Sequence, residues 1–181
     1  MTVEETYLKG CFVITPRVLE DERGYFFESF NKQIFEKETG VHKTFVQDNQ
    51  SKSSKGVLRG LHFQKGKHGQ AKLVRVIKGK VLDVCVDIRE ESPTFGKQFS
   101  IILDATEHKQ LYVPRGFAHG FLVLEDDTIF SYKCDNFYNK ESESGIIFND
   151  KTLNIKWGFT EKELIISEKD KTLLTFEQLF K

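Results

Sequence analysis

The sequence predicts a mainly β protein, an antiparallel β-barrel or sandwich with a few peripheral helices. Short segments rich in β-branched and aromatic residues follow one another at close intervals and are separated by polar turns. Seventeen phenylalanines, against a single tryptophan and a single methionine, supply large apolar side chains that suit closely packed sheets. Helix signals are confined to the two ends of the chain. These observations favour a fold that is built by strands and decorated by helices.

The strand candidates begin in the middle of the chain. Segment 71–77 alternates apolar and basic residues with a period of two, as a strand with two different faces does. The dipeptide Lys78-Gly79 separates it from segment 81–88, and such a short glycine-containing interval is expected of a tight hairpin. The predicted strands are 57–63, 71–77, 81–88, 99–103, 110–113, 117–124 and 128–133. Helices are predicted at 30–37, ending near Gly40, and at 175–180.

One predicted strand has an acidic face. Asp83 and Asp87 alternate with Val84 and Val86, so both carboxylates point to the same side of the strand. A polar barrel mouth and a solvated outer face explain this alternation equally well. The sequence leaves the two alternatives open.

Length and charge limit what the chain can be. A chain of 181 residues is the size of one domain, and no linker divides it, so we predict a single domain over residues 1–181. The 27 basic and 27 acidic residues cancel, and no basic cluster is interleaved with aromatics. We therefore expect no nucleic-acid partner.

The sequence also predicts a cytoplasmic protein without membrane contact. The N-terminus lacks the apolar region of a secretory signal, and no apolar run approaches the roughly 20 residues that span a bilayer. Cys11, Cys85 and Cys134 are odd in number, far apart and without metal-type spacing. Such a pattern favours reduced packing thiols over disulfides or a metal site.

Two histidines belong to segments that resemble cupin motifs. Segment 114–120 (PRGFAHG) places a rigid turn and a glycine just before His119, which resembles the second cupin motif. The first cupin motif carries two histidines one residue apart that reach a common metal, whereas the equivalent segment here is His62-Phe63-Gln64. Because glutamine is a poor transition-metal ligand, we expect a jelly-roll barrel lined by His62 and His119 without a metal. A hydrogen-bonded histidine with no chemical role is the alternative at each position.

Longer motifs run through nearly the whole chain in order. They are DERGYFFES at 21–29, FVQDN at 45–49, RGLHFQ at 59–64, QAKLVR at 70–75, VDIR at 86–89, SPTFG at 92–96, the segment 114–121, SYK at 131–133, FND at 148–150 and Trp157. On these motifs the chain resembles the dTDP-4-dehydrorhamnose 3,5-epimerase family of cupin-like enzymes. The resemblance is specific, since it covers most of the sequence without a change of order.

The resemblance implies a cofactor-independent isomerase of dTDP-L-rhamnose biosynthesis, a route to lipopolysaccharide and other cell-surface polysaccharides. The reaction inverts C3 and C5 of dTDP-4-dehydro-6-deoxy-D-glucose through enolates and gives dTDP-4-dehydro-L-rhamnose. By resemblance, His62 is the base and Asp170 its partner. Tyr132 delivers a proton from the opposite face of the sugar, and Lys72 stabilises the oxyanion.

The resemblance also implies the residues that bind substrate. Arg23 and Arg59 suit the diphosphate, because a planar guanidinium makes bidentate contacts with phosphate oxygens. Phe26 and Tyr138 are candidates to stack on the thymine ring. The remaining expected contacts to nucleotide or sugar are Glu28, Gln47, Asn49, His119, Glu143 and Lys169. A homodimer is implied too, in which residues 23–28 reach the active site of the neighbouring subunit.

Other functions on the same scaffold remain as alternatives. One is an epimerase of a single carbon, or a ketoisomerase, acting on a related nucleotide 4-keto sugar; a ketoisomerase does not require Tyr132. The other is a non-catalytic sugar-binding module or a metal cupin. A binding module has no need of a His–Asp base pair, and a metal cupin needs more ligands than segment 62–64 offers.

Overall fold

The structure is a computed structural model that describes residues 1–180; Lys181, the last residue of the predicted domain, lies outside the described residues. The strands are β1 (Thr2–Glu5), β2 (Phe12–Thr15), β3 (Leu19–Asp21), β4 (Gly24–Phe26), β5 (Gln47–Ser53), β6 (Val57–Gln64), β7 (Lys72–Lys78), β8 (Lys80–Asp87), β9 (Gln98–Asp104), β10 (Gln110–Val113), β11 (Phe117–Val123), β12 (Thr128–Cys134), β13 (Glu143–Gly145) and β14 (Ile165–Ile166). The α-helices are α1 (Lys32–Thr39), α2 (Glu168–Lys171) and α3 (Phe176–Phe180). Within residues 1–180, none of the helices has the length and apolar character needed to cross a membrane.

Two sheets of strands form the body of the protein. The first has the strand order β1-β2-β10-β7-β12-β5, and the second has the order β13-β6-β11-β8-β9 with β14 beside β6. The pairings are antiparallel apart from that of β14 with β6, which is parallel. The hairpin β3–β4 stands apart from both sheets. The predicted mainly β, antiparallel architecture with peripheral helices is confirmed.

The predicted elements are present, with small differences at their ends. All seven predicted strands correspond to β6 through β12. The first helix begins later than predicted because Asn31 is its N-cap: the backbone of Asn31 is extended, and its side-chain oxygen accepts a hydrogen bond from the Ile34 N–H at 3.2 Å. Gly40 ends this helix in the left-handed conformation, as predicted.

Apolar clusters fill three layers. The inner cluster lies between the sheets and combines Val74 and Phe130 of the first sheet with Phe121 of the second. Behind the first sheet, Phe35 of α1 packs with side chains of β2, β7 and β10. Behind the second sheet, the chain after β13 covers β6, β8 and β11 with apolar residues that include Trp157. The alternate residues of each central strand therefore face the interior or a covering segment.

The acidic face of β8 is not solvated. Asp83 and Asp87 have no exposed surface, and they share an inward-facing side of the strand with Val81 and Cys85. The alternative of a solvated outer face is therefore wrong. The same face brings Cys85 against Cys11, whose Sγ lies 3.8 Å away, although the two thiols are far apart in the sequence. Cys11, Cys85 and Cys134 are free and buried.

Candidate active site

A cavity of about 660 Å³ opens at the edge of the inner cluster. Strands β5, β6, β7, β11 and β12 contribute to its wall, together with the chain from β14 into α2. Its volume suits a ligand larger than a single monosaccharide. The predicted site residues that line it are Asn49, Arg59, His62, Lys72, His119, Tyr132, Lys169 and Asp170.

Strand register brings these side chains together. His62 and His119 are paired on β6 and β11, and Tyr132 is paired with Asn49 on β5. The strands β6 and β11 approach closely at Gly60, where a Cβ atom would lie 2.6 Å from the His119 carbonyl oxygen. Gly60 also has a φ of 101°, which a side chain would make strained. Glycine at this position therefore permits the contact between the two histidine-bearing strands.

His62 is held by Asp170. The Nε2 atom of His62 lies 2.7 Å from Oδ1 of Asp170, and the other carboxylate oxygen accepts a hydrogen bond from the Gly60 N–H at 3.1 Å. Ser167 caps α2 by accepting a hydrogen bond from the Asp170 N–H, which fixes Asp170 in the first turn. Burial acts to raise the pKa of Asp170, but the hydrogen bond and charge of His62 outweigh it and hold this pKa below its ordinary value.

Lys72 faces the cavity without a carboxylate partner. Its Nζ lies 5.7 Å from the centre of the Tyr132 ring, and no acidic side chain of residues 1–180 is within ion-pair distance of it. Burial lowers the pKa of Lys72, while negative charge on Cys134, Asp83 and Glu143 would act in the opposite direction. The site therefore contains a partly desolvated cation that is free to meet an anion.

Tyr132 lies on the side of the cavity formed by the first sheet. It packs against the inner cluster, and its ring centre is 6.0 Å from that of Phe130. Burial raises the pKa of the Tyr132 phenol, and nearby Arg59 acts to lower it. The net rise keeps the phenol protonated at neutral pH.

His119 forms a second pair with Asp83. The Nε2 atom of His119 lies 2.9 Å and 3.0 Å from the two carboxylate oxygens of Asp83. Burial lowers the pKa of His119, although the charge and hydrogen bond of Asp83 oppose this effect. His119 is therefore a neutral imidazole in the cavity wall at neutral pH.

A chain of hydrogen bonds, here called the rim, links the lining residues Asn49 and Lys169 through Gln47, Tyr138 and Glu143, which do not line the cavity themselves. Gln47 donates to the Asn49 side chain at 3.1 Å and accepts from the Tyr138 N–H at 3.2 Å. Glu143 accepts from the Tyr138 hydroxyl at 2.8 Å and pairs with the Lys169 ammonium at 2.5 Å. Burial would raise the pKa of Glu143, but Lys169 and Tyr138 hold it below its ordinary value. The rim thus joins the loop after β12 to the helix that carries Asp170.

Three predicted binding residues lie away from the cavity. Arg23 and Phe26 are exposed on the hairpin β3–β4, where Arg23 forms an ion pair with Asp21 at 2.5 Å. Glu28 accepts a hydrogen bond from the Asn31 side chain at 3.1 Å. Since none of the three lines the cavity, a site within one chain contains none of them.

The structure also adds residues that the motifs did not single out. Asp83 stands behind His119, and its only signal in the sequence is its place on an alternating acidic face. Gln64, which the motif at 59–64 already contains, accepts a hydrogen bond from the Asn139 N–H at 3.2 Å. Further lining residues are Gln50, Ser51, Ile165, Ile166 and Ser167. The polar strand β5 and the short strand β14 carried no pattern from which these could be found.

Comparisons with known proteins agree with this architecture. The family model described as dTDP-4-dehydrorhamnose 3,5-epimerase matches residues 5–178. The Escherichia coli K12 protein of that name is 49% identical over 181 residues, which cover 100% of this chain and 97% of the relative.

Crystal structures of two similar proteins superpose along nearly the whole chain. One, a dTDP-4-dehydrorhamnose 3,5-epimerase from Elizabethkingia anophelis, is 56% identical with a TM-score of 0.95 and coverage of 100% of this chain and 99% of that one. The other, a dTDP-6-deoxy-D-glucose-3,5-epimerase from Legionella pneumophila in complex with dTDP-4-keto-L-rhamnose, is 43% identical with a TM-score of 0.93 and coverage of 97% and 93%. The predicted jelly-roll fold is thereby confirmed. This chain belongs to the dTDP-4-dehydrorhamnose 3,5-epimerase family.

Proposed function

We propose that this protein is a cofactor-independent isomerase that converts dTDP-4-dehydro-6-deoxy-D-glucose into dTDP-4-dehydro-L-rhamnose. Membership of the family supports the reaction. The observation that carries it is that His62, Tyr132 and Lys72 line one cavity while Asp170 is hydrogen-bonded to His62. The product is a precursor of dTDP-L-rhamnose and hence of lipopolysaccharide and other cell-surface polysaccharides.

The chemistry requires acidic carbons next to a ketone. C3 and C5 flank the C4 carbonyl, so the carbanion formed at either carbon is delocalised onto the ketone oxygen as an enolate. Inversion needs a base on one face of the sugar, an acid on the other, and positive charge beside the oxygen. The cavity wall offers side chains for all three tasks.

His62 acts as the base. Because its Nε2 faces Asp170, that nitrogen carries the proton in the neutral ring, and Nδ1 is left to accept the proton from carbon. Asp170 stays ionised at neutral pH, so it also stabilises the imidazolium that forms. The same base serves C3 and C5 in turn.

Tyr132 returns a proton to the opposite face. A phenol that retains its proton at neutral pH is a weak acid, but an enolate is basic enough to take that proton. Lys72 stabilises the oxyanion, since a partly desolvated ammonium without a carboxylate partner interacts strongly with developing negative charge.

Arg59, Lys169 and the rim bind the nucleotide. Arg59 reaches Ser53 at 3.1 Å but has no carboxylate within ion-pair distance among residues 1–180, so its guanidinium is available for the diphosphate. Tyr138, with its hydroxyl fixed by Glu143, offers an exposed ring for stacking on thymine. His119, Gln47 and Asn49 supply further polar contacts.

The functional unit that we propose is a homodimer of single-domain subunits in the cytoplasm. Arg23, Phe26 and Glu28 complete the neighbouring subunit's site in this arrangement, which accounts for their position outside the cavity of their own chain. The exposed Tyr25 and Phe26 give the hairpin β3–β4 an apolar surface suited to a subunit contact. Three free thiols are the form that a reducing cytoplasm maintains.

Deuterium exchange tests the reaction. In deuterium oxide, the protein should introduce label at both C3 and C5 of dTDP-4-dehydro-6-deoxy-D-glucose, as followed by NMR and mass spectrometry. His62→Ala should abolish exchange at both carbons, whereas His42→Ala, on an exposed side chain outside the cavity, should retain it. Label at one carbon alone would instead indicate the monofunctional alternative. Exchange that survives His62→Ala would exclude His62 as the base.

A further inference from the structure

The proposed chemistry leaves Asp83, a buried carboxylate bonded to a residue of the cavity wall, without a role. Asp83 has no exposed surface and His119 is only 5% exposed, and both oxygens of Asp83 lie within hydrogen-bond distance of His119 Nε2. A carboxylate removed from water is unfavourable unless it is paired. Here its partner is an imidazole rather than a cation, so the negative charge of Asp83 is not cancelled within the pair.

Asp83 acts on the cavity through other groups because it does not line it. Since His119 Nε2 faces the carboxylate, Nε2 carries the ring proton and Nδ1 is a hydrogen-bond acceptor. Nδ1 has no hydrogen-bond partner within residues 1–180, yet no fully buried side-chain nitrogen or oxygen in that part of the chain lacks one. Nδ1 therefore faces the open cavity, where a sugar hydroxyl can donate to it.

The charged groups around Lys72 indicate which carboxylate affects its ammonium group. Three carboxylates belong to this region: Asp170, which is paired with His62; Glu143, which is paired with Lys169; and Asp83. The other titratable groups that face Lys72 and His119 are His62 of β6, Cys85 of β8, and Tyr132 and Cys134 of β12. Of these carboxylates, Asp83 and Glu143 act to raise the pKa of Lys72, and Glu143 is already paired with Lys169. Asp83 is thus the carboxylate that acts on Lys72 without having a cationic partner of its own.

We propose that Asp83 is a positioning residue for the epimerisation, because its carboxylate fixes His119 with Nδ1 toward the sugar. This inference rests on the proposed function for its catalytic consequence. The orientation of His119 by Asp83 can be tested independently of the proposed function.

The first test compares two buried aspartates of the same strand. Asp83→Asn retains the shape of the side chain but removes the charge, and because its amide can donate as well as accept, it no longer restricts His119 to the tautomer protonated at Nε2. We expect kcat for exchange to fall about tenfold to a hundredfold, as a misplaced catalytic group does. The basic limb of the pH profile of kcat should move to lower pH, because an ammonium that loses a nearby negative charge releases its proton more easily.

Asp87→Asn is the matched control. Asp87 is equally buried on β8 but binds Arg89, Ser92 and Thr94 outside the cavity, so its replacement should leave the basic limb in place. An Asp83→Asn protein with wild-type kcat and an unmoved basic limb would overturn the proposal. An equal shift of the limb in both variants would also overturn it, because a general loss of stability would then explain the effect.

The second test needs neither a variant nor a substrate. Long-range ¹H–¹⁵N correlation spectra of the wild-type protein at neutral pH should show His119 protonated at Nε2 and unprotonated at Nδ1. The opposite tautomer, or an imidazolium, would overturn the proposal even if Asp83→Asn failed to fold. The absence of deuterium exchange at C3 and C5 in the wild-type protein would exclude the proposed function. The tautomer of His119 would still show whether Asp83 orients the ring as proposed.

Discussion

The hydrogen bond between His62 and Asp170 combines two effects, orientation and charge. The two oxygens of Asp170 serve Gly60 N–H and His62 Nε2, one each. In Asp170→Asn, the single amide oxygen can accept only one of these bonds, the NH₂ group faces the other partner, and the neutral amide cannot stabilise an imidazolium. We therefore expect kcat for exchange at both carbons to fall by about a hundredfold to ten-thousandfold. Glu168→Gln, an exposed position of the same helix, is the control and should keep wild-type kcat. A loss of less than threefold in Asp170→Asn would remove Asp170 from the mechanism.

Tyr132 is expected to separate exchange from inversion. In Tyr132→Phe, His62 still abstracts protons, and the deuterium it returns from solvent arrives on the face from which the proton left. Label should therefore enter the substrate while the yield of epimerised sugar falls about a hundredfold or more. NMR of the sugar distinguishes label from configuration in one sample. Tyr112→Phe, a buried tyrosine outside the cavity, should change neither, and a normal product from Tyr132→Phe would contradict the assignment.

At the level of single residues, the sequence offered catalytic candidates where motifs are recognisable, and the structure brings three of them to one cavity. They are His62, Lys72 and Tyr132, which lie on β6, β7 and β12, three strands that the sequence predicted. Asp170 was expected beside His62 from the resemblance alone, because the two residues lie 108 positions apart in the chain, and the structure places them in hydrogen-bond contact. Asp83 was visible as part of an acidic face, but no local pattern could identify its partner, since strand pairing across the sheet brings His119 to it.

The strands that were predicted, β6 through β12, are those in the middle of the chain in which apolar residues alternate or cluster. β1 (TVEE) and β2 (FVIT) were missed, because four residues are too few to show a period, and β2 is a strand through its pairing with β1 and β10. β5 (QDNQSKS) was missed because each of its side chains is polar, so it has no apolar period of two. Its pairing with β12 over seven residues makes it a strand. β3, β4, β13 and β14 have two or three residues each, too few to show a period. Tertiary pairing, rather than local preference, determines these elements.

The turn between β8 and β9 is organised by one carboxylate. Asp87 accepts hydrogen bonds from Arg89 at 2.7 and 2.8 Å and from the hydroxyls of Ser92 and Thr94 at 2.6 Å. Burial acts to raise the pKa of Asp87, but these donors lower it to about 2, from an ordinary value of 3.8. A depressed pKa means that folding favours the ionised form, so the stabilisation is present above the unfolded pKa.

Asp87→Asn should therefore destabilise the protein in a pH-dependent way. At pH 7 the free energy of unfolding should decrease by about 2 kcal/mol, the equivalent of the shift in pKa. The difference between wild-type and variant should shrink as the pH falls from about 5 toward 2, because the wild-type carboxylate becomes protonated over this interval. Urea denaturation at several pH values measures both quantities. A difference that stays constant down to pH 2 would show that packing, not charge, accounts for the loss.

At the scale of the whole molecule, the covering layers allow the barrel interior to be polar at one end. Apolar clusters behind each sheet, one around Phe35 and one around Trp157, bury the outer faces of the strands. The interior then needs apolar packing only around Val74 and its neighbours, and the remaining inward positions are available for His62, Lys72 and Tyr132. Charged groups can be held there because the surrounding structure is stabilised independently of them.

The hairpin β3–β4, unlike the central strands, contributes no side chain to the cavity of its own chain. Arg23 and Phe26 are exposed, yet the motif that contains them resembles a substrate-binding segment. Tyr25 and Phe27 contact His108, with ring centres 4.7 Å apart, so the second strand of the hairpin packs against the segment between β9 and β10 while Arg23 and Phe26 stay exposed. This position outside the cavity of its own chain is the reason why we propose that the hairpin serves the site of a neighbouring subunit.

Mixing two inactive variants tests this exchange of residues between subunits. His62→Ala lacks the base, and Arg23→Ala combined with Phe26→Ala lacks the binding residues of the hairpin, so neither protein should exchange deuterium at low substrate concentration. If the hairpin serves the neighbouring site, unfolding and refolding the two together restores about a quarter of the sites, because half of the dimers are mixed and one site in each is complete. If each hairpin serves its own chain, no mixed dimer has a complete site, and activity stays absent. Light scattering on the same refolded sample should give the mass of two chains, and a monomer would exclude the arrangement independently of the activity.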